Sequence, residues 1–150
     1  MIRLLLGKPV GAAFGGGGSE AIRDDKGLYF INADGKNPDQ PRELWTQGET
    51  ESNSVWFPTI ESTSQKMTQD IFLTVESSLV TLSNGLLLET TRNPDGTKTD
   101  HWRQSLPAAP YLTMIAAGPF AVVRDEWKGK EVSYFVDPPY ERQARRIFGV

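Results

Sequence analysis

The chain has 150 residues, 38% hydrophobic and 23% charged, with four Trp, seven Phe and four Tyr. That is the size of one domain with one core, and it is too rich in aromatics for a disordered polymer. A net charge of −3, with basic residues spread out apart from Arg142, Arg145 and Arg146, excludes the electrostatic footprint of a nucleic-acid binder. The lack of any cysteine excludes a disulfide framework and a thiolate metal site, and leaves the compartment open between cytoplasm and periplasm.

Taken in chain order, Met1-Ile2-Arg3-Leu4-Leu5-Leu6 stops at Gly7-Lys8-Pro9, short of the roughly 7–15 apolar residues at the heart of a signal peptide. No later run approaches the ~18 apolar residues of a membrane span. Gly15-Gly16-Gly17-Gly18-Ser19 predicts a mobile loop. It does not match a phosphate-binding loop, because the nearby Gly7-Lys8 is followed by Pro9 rather than Ser or Thr. Gly27–Asn32 is a short run of strand formers that ends in the turn-rich Ala33–Pro38.

From Asp70 onward the pattern is that of strands. Ile71, Leu73 and Val75 share one face of a half-buried strand. Val80-Thr81-Leu82 and Leu86-Leu87-Leu88 flank Ser83-Asn84-Gly85, and Asn-Gly between apolar runs predicts a tight hairpin. Asn93-Pro94-Asp95-Gly96 predicts a longer turn joining Leu86–Arg92 to Thr97–Gln104. Strands are then expected at Tyr111–Ala116, Phe120–Glu126 and Lys130–Val136, the last two joined across Trp127-Lys128-Gly129. The spacing reads as an antiparallel meander in an all-β sandwich or open sheet. Pro138-Pro139 and the spacing of Tyr140, Ala144, Ile147 and Phe148 predict the start of a helix.

Several motifs stand apart from this grammar: Gly27-Leu28-Tyr29-Phe30, Trp45-Thr46-Gln47-Gly48-Glu49, Trp56-Phe57-Pro58, Lys66-Met67-Thr68, Ser83-Asn84-Gly85, Tyr111-Leu112, Gly118-Pro119-Phe120 and Phe148-Gly149. In this order they resemble the N-terminal β-domain of the zinc aminopeptidases of the aminopeptidase N family, which are gluzincin metallopeptidases. The resemblance runs from about Gly27 to Gly149, and residues 1–20 align poorly. It implies a saddle-shaped β-domain over 27–137, preceded by a poorly matched, partly mobile segment 1–26. Residues 138–150 would begin a helix leading toward a catalytic domain missing from this chain.

The resemblance also implies a site. The position matching Glu49 helps hold the free α-ammonium of the peptide substrate, a task for which a carboxylate supplies two acceptor oxygens and a full charge. Gln47 would orient Glu49, line the same cleft or, the more ordinary role, satisfy backbone groups of its loop. Neither H-E-x-x-H nor G-x-M-E-N occurs in the 150 residues, so zinc, its water and the general base are expected of the parent enzyme and not of this chain. The parent would cleave peptides from the amino terminus; this chain alone is expected neither to bind zinc nor to turn over substrate.

Trp45, Trp56 and Phe57 are expected to pack the core, and Trp102 and Trp127 to pack strand faces. Asp100-His101 is the only place to look for a catalytic dyad, but successive strand residues point to opposite faces, so His101 reads as an exposed strand histidine. The rival reading is a stand-alone β-sandwich module for protein or glycan contact. That module would show few large apolar residues on its surface.

Overall fold

The structure, a computed structural model, describes residues 2–5, 13–14 and 26–149. The expected loop at Gly15–Ser19 and most of the segment 1–26 lie outside the described residues. The strands are β1 (Ile2–Leu5), β2 (Ala13–Phe14), β3 (Gly27–Ile31), β4 (Glu43–Gln47), β5 (Met67–Glu76) and β6 (Val80–Ser83). They continue with β7 (Leu86–Arg92), β8 (Thr97–Ala108), β9 (Ile115–Gly118), β10 (Ala121–Trp127) and β11 (Lys130–Val136), and the chain closes on helix α1 (Glu141–Phe148).

Two sheets make an all-β sandwich. One has the order β2-β1-β5-β8-β7, the other β3-β4-β9-β6. Ile71, Leu73 and Val75 alternate inward along β5 and are buried, as the pattern predicts, and Gln69 is buried on the same face. Opposite them, Leu44 of β4 and Ile115 of β9 complete a core with Trp56, Phe57 and Trp102. Fully burying a side chain such as Leu73 or Ile115 stabilises the fold by roughly 1.5–3 kcal/mol. The strands are antiparallel except that β1 runs parallel to β5, pairing Ile2 with Ile71 and Leu5 with Thr74. Ile2–Leu5 thus forms a strand that covers the β5 edge.

The meander holds only in part: β7 and β8 pair across Asn93–Gly96 as expected, but β6 pairs with neither β5 nor β7. β5 pairs with β8, and β6 pairs with β9 across more than thirty residues of chain. Asn84-Gly85 is therefore not a hairpin turn: β6 and β7 lie in different sheets, and the pair forms the corner between them. Gly85 presses against the Arg103 carbonyl of β8 with φ 84°, leaving no room for a Cβ. Asn84 meanwhile donates to the Leu112 carbonyl at 2.9 Å and accepts from the Met114 N–H at 2.7 Å, which pins the corner to the opposite sheet.

Two further boundaries differ from expectation. Tyr111 falls in a 3-10 turn, Pro110–Leu112, and the strand starts only at Ile115. Glu43–Gln47, to which the sequence pattern assigns no element, is a strand: Leu44 and Thr46 point into the core while Trp45 and Gln47 face out. β10 and β11 do form the expected hairpin, turning at Lys128 and Gly129 with positive φ of 51° and 76°. This hairpin and α1 pack on each other as a separate unit beyond the sandwich. Of the helix stripe only Ala144 is buried, and Tyr140, Ile147 and Phe148 remain largely in solvent.

Candidate functional site

β4 ends at Gln47, and the chain then turns sharply over residues 48–52, with the Ser52 N–H donating to the Gly48 carbonyl at 3.1 Å. Glu49 stands on this turn, exposed, and its backbone N–H donates to Gln47 Oε1 at 3.2 Å. Gln47 is itself exposed, and the contact observed for it is with the loop backbone. Beside the turn lies a cleft of about 250 Å³ lined by Thr50, Glu51, Glu61, Ser62, Thr63 and Tyr111. Glu61 is held in place by the Ser54 N–H, which donates to its Oε1 at 2.5 Å.

Beneath the turn sits a residue the sequence gives no reason to single out. Asn53 is completely buried. Its Nδ2 donates to the Pro110 carbonyl at 2.6 Å and to the Thr113 carbonyl at 2.9 Å, and its Oδ1 accepts the Trp56 indole N–H at 2.8 Å. Its carbonyl accepts the N–H groups of Trp56 and Phe57, both at 3.1 Å. Between Ser52 and Ser54, an Asn looks like any turn residue; nothing in a sequence signals that its amide lies inside.

The aromatic residues divide. Trp56 and Phe57 pack edge to face in the core, as expected. Trp45 instead lies on the outer face, stacked on Tyr29 with ring centroids 4.4 Å apart. Trp102 is buried and donates to Thr81 Oγ1 at 3.0 Å. Trp127 packs on no strand face: it is exposed at the hairpin tip, with the Lys128 ammonium 4.4 Å from its ring.

Asp100 and His101 point to opposite faces and form no dyad. Asp100 is buried, accepting from Thr81 at 2.7 Å, Thr90 at 2.6 Å and the Lys98 ammonium at 2.8 Å. Burial pushes its carboxyl up, but the hydrogen bonds from Lys98, Thr90 and Thr81 outweigh that and hold it below the usual carboxylate range. His101 is half-buried rather than exposed, stacked on Phe72 and 2.8 Å from Asp70 on the outer face. That hydrogen bond holds the Asp70 carboxyl below its ordinary value.

An acidic pair, Glu43 and Asp137, lies at the seam with the hairpin and helix. Burial, then a hydrogen bond and repulsion from the Asp137 carboxyl, push Glu43 up to about 7. Among the described residues no three His, Asp or Glu side chains come together to hold a metal ion. No helix among them is long and apolar enough to cross a membrane.

With this geometry in place, comparison with known proteins gives two findings. The sequence model described as Peptidase M1 N-terminal domain matches residues 21–112. Transcription initiation factor TFIID subunit 2 of Gallus gallus is 32% identical over 115 residues, 75% of this chain and 10% of that protein. The protein of that name from Danio rerio is 34% identical over 116 residues, again 75% of this chain and 10% of the relative. The chain thus spans about a tenth of the length of the curated relatives it matches.

Proposed function

Because the chain belongs to the Peptidase M1 N-terminal domain family, we propose that it is the non-catalytic β-domain of a zinc-dependent aminopeptidase, walling the substrate cleft and offering Glu49 to the substrate's α-ammonium. The observation that carries this reading is the Glu49 turn: a carboxylate held out from the end of β4, its own N–H occupied by Gln47, beside a cleft that also presents Glu51 and Glu61. An ammonium is the natural guest of such a group, since a carboxylate offers it charge-assisted hydrogen bonds.

The same reading gives the chain a partner, a catalytic domain carrying the zinc. Its support is the groove between β11 and α1, about 340 Å³, where Phe120, Phe135, Tyr140, Ile147 and Phe148 line one apolar surface. A stand-alone module would have few such residues in solvent. The described residues take no chemical step themselves: they bind and orient. Alone they would hold a peptide poorly, because one charge-assisted hydrogen bond contributes about 1.5–3 kcal/mol while association costs an estimated 4–15 kcal/mol.

The test is kinetic. In the full-length polypeptide, Glu49→Gln keeps the shape and removes the charge, and the Michaelis constant for an aminoacyl-p-nitroanilide is expected to rise about tenfold or more. An unchanged Michaelis constant would remove Glu49 from the anchor role. Absence of zinc-dependent turnover in the unmutated polypeptide would favour a second reading, supported by the relatives named as subunits of a transcription initiation factor. In that reading the domain is an assembly module and the apolar groove is its contact.

A further inference from the structure

We infer that Asn53 is a positioning residue for Glu49, fixing where the carboxylate stands by bolting its turn to the 110–113 turn across the cleft. The inference rests on the anchor reading above and extends it to a side chain that can touch no substrate, since no part of Asn53 reaches solvent. Its surroundings accept only an amide. Two carbonyl oxygens, of Pro110 and Thr113, need donors, and the Trp56 indole needs an acceptor. An aspartate of the same size would face its charge toward two carbonyls and leave both without a donor.

The bolt acts on Glu49 through Gly48. A Cβ at Gly48 would collide with both Asn53 Nδ2 and the Tyr111 carbonyl oxygen, so the backbone there is packed close against both partners. The Gly48 carbonyl in turn accepts the Ser52 N–H and closes the turn that carries Glu49. On the far side, Gln69 of β5 donates to Thr113 Oγ1 at 2.6 Å, anchoring the 110–113 turn to the central strand of the larger sheet. Glu49 is thereby registered to the sandwich through Gly48, Asn53, Thr113 and Gln69, although its own side chain is free in solvent.

Two variants test this from opposite sides in the full-length polypeptide: Asn53→Asp, which removes the donors, and Gly48→Ala, which forces these contacts apart and remains available if Asn53→Asp does not fold. Each is expected to raise the Michaelis constant for an aminoacyl-p-nitroanilide about tenfold while kcat changes less than about threefold. Added to Glu49→Gln, each should cost less than about twofold more, because the group it positions is already lost. A residue that merely stabilises the fold would lower active protein and hence kcat, leave the Michaelis constant alone, and multiply with Glu49→Gln. That pattern would overturn the inference.

If Glu49→Gln itself has no effect, the anchor reading fails and the positioning claim is decided on the 150-residue chain by amide hydrogen exchange. Gly48→Ala and Asn53→Asp should then speed exchange at Ser52 while the β5 amide of Leu73 stays protected. Unchanged protection at Ser52 would sink the claim on its own.

Discussion

The sandwich and the hairpin–helix unit treat their side chains in opposite ways. Between the two sheets, Asn53 and Asp100 are both buried and both fully engaged, although Gln69 Oε1 is buried there without a partner among the described residues. In the β10–β11 hairpin and α1 the reverse holds, and Tyr140, Ile147 and Phe148 are 59%, 66% and 53% exposed. The reason is size. Two stacked sheets cover each other, whereas two strands and eight helical residues have too little surface to close a core of their own. The groove that this leaves open is the surface that the proposed catalytic-domain partner would cover.

The sharpest way to break this contrast is Asp100→Ala. The carboxylate joins β6 and β7, strands of different sheets, through Thr81 and Thr90, and it neutralises the largely buried Lys98. Removing it leaves an ammonium and two hydroxyls without their acceptor, and the expected loss is about 3–5 kcal/mol in urea unfolding. The pH dependence follows from the same bonds. The folded carboxyl titrates below its unfolded value, so its contribution is present above that value and disappears as pH falls through the folded one. A loss under about 1 kcal/mol would mean that water fills the site and the sheets hold without it.

That network also shows why the sequence could be read only in part. The alternation of Ile71, Leu73 and Val75 is local, and so is the Lys128-Gly129 turn; both needed only neighbours to be legible. The partner of β6 is local to nothing: β9 lies beyond two intervening strands, and the corner at Asn84-Gly85 looks like a hairpin until Gly85 is seen against the Arg103 carbonyl. β4 was hidden because one of its two inward residues is Thr46, whose hydroxyl accepts the Ile115 N–H at 2.9 Å. Of the proposed site, the resemblance points to Glu49, and nothing in the sequence points to what holds its turn. Asn53 is an ordinary turn residue in sequence and a buried amide in space.

A smaller effect is expected where the two regions meet. Glu43 of β4 faces Asp137, the residue before the helix, and its Oε1 is buried. Its carboxyl rises from 4.5 to about 7. In that interval the folded chain holds a proton that the unfolded chain has released, so stability falls as pH rises from about 4.5 to about 7 and then levels off. With solvent screening allowed for, the span is roughly 1 kcal/mol. Glu43→Gln should flatten this slope in unfolding curves taken at pH 5 and pH 8. If the slope persists in the variant, the proton belongs to another group and the seam carries no such load.

The least effect is expected where the apolar surface is greatest. Ile147→Ser removes a large aliphatic side chain, a change that costs about 2–5 kcal/mol in a closed core. In this helix, with the side chain two-thirds in solvent, the loss for the 150-residue chain should stay within about 0.5 kcal/mol, the range of ordinary surface substitutions. What should change is association: sedimentation at high concentration should show fewer oligomers for Ile147→Ser, because the groove loses part of its apolar rim. A destabilisation as large as that of Asp100→Ala would show that the groove is closed in solution by the chain itself, and the two regions would then differ in composition but not in kind.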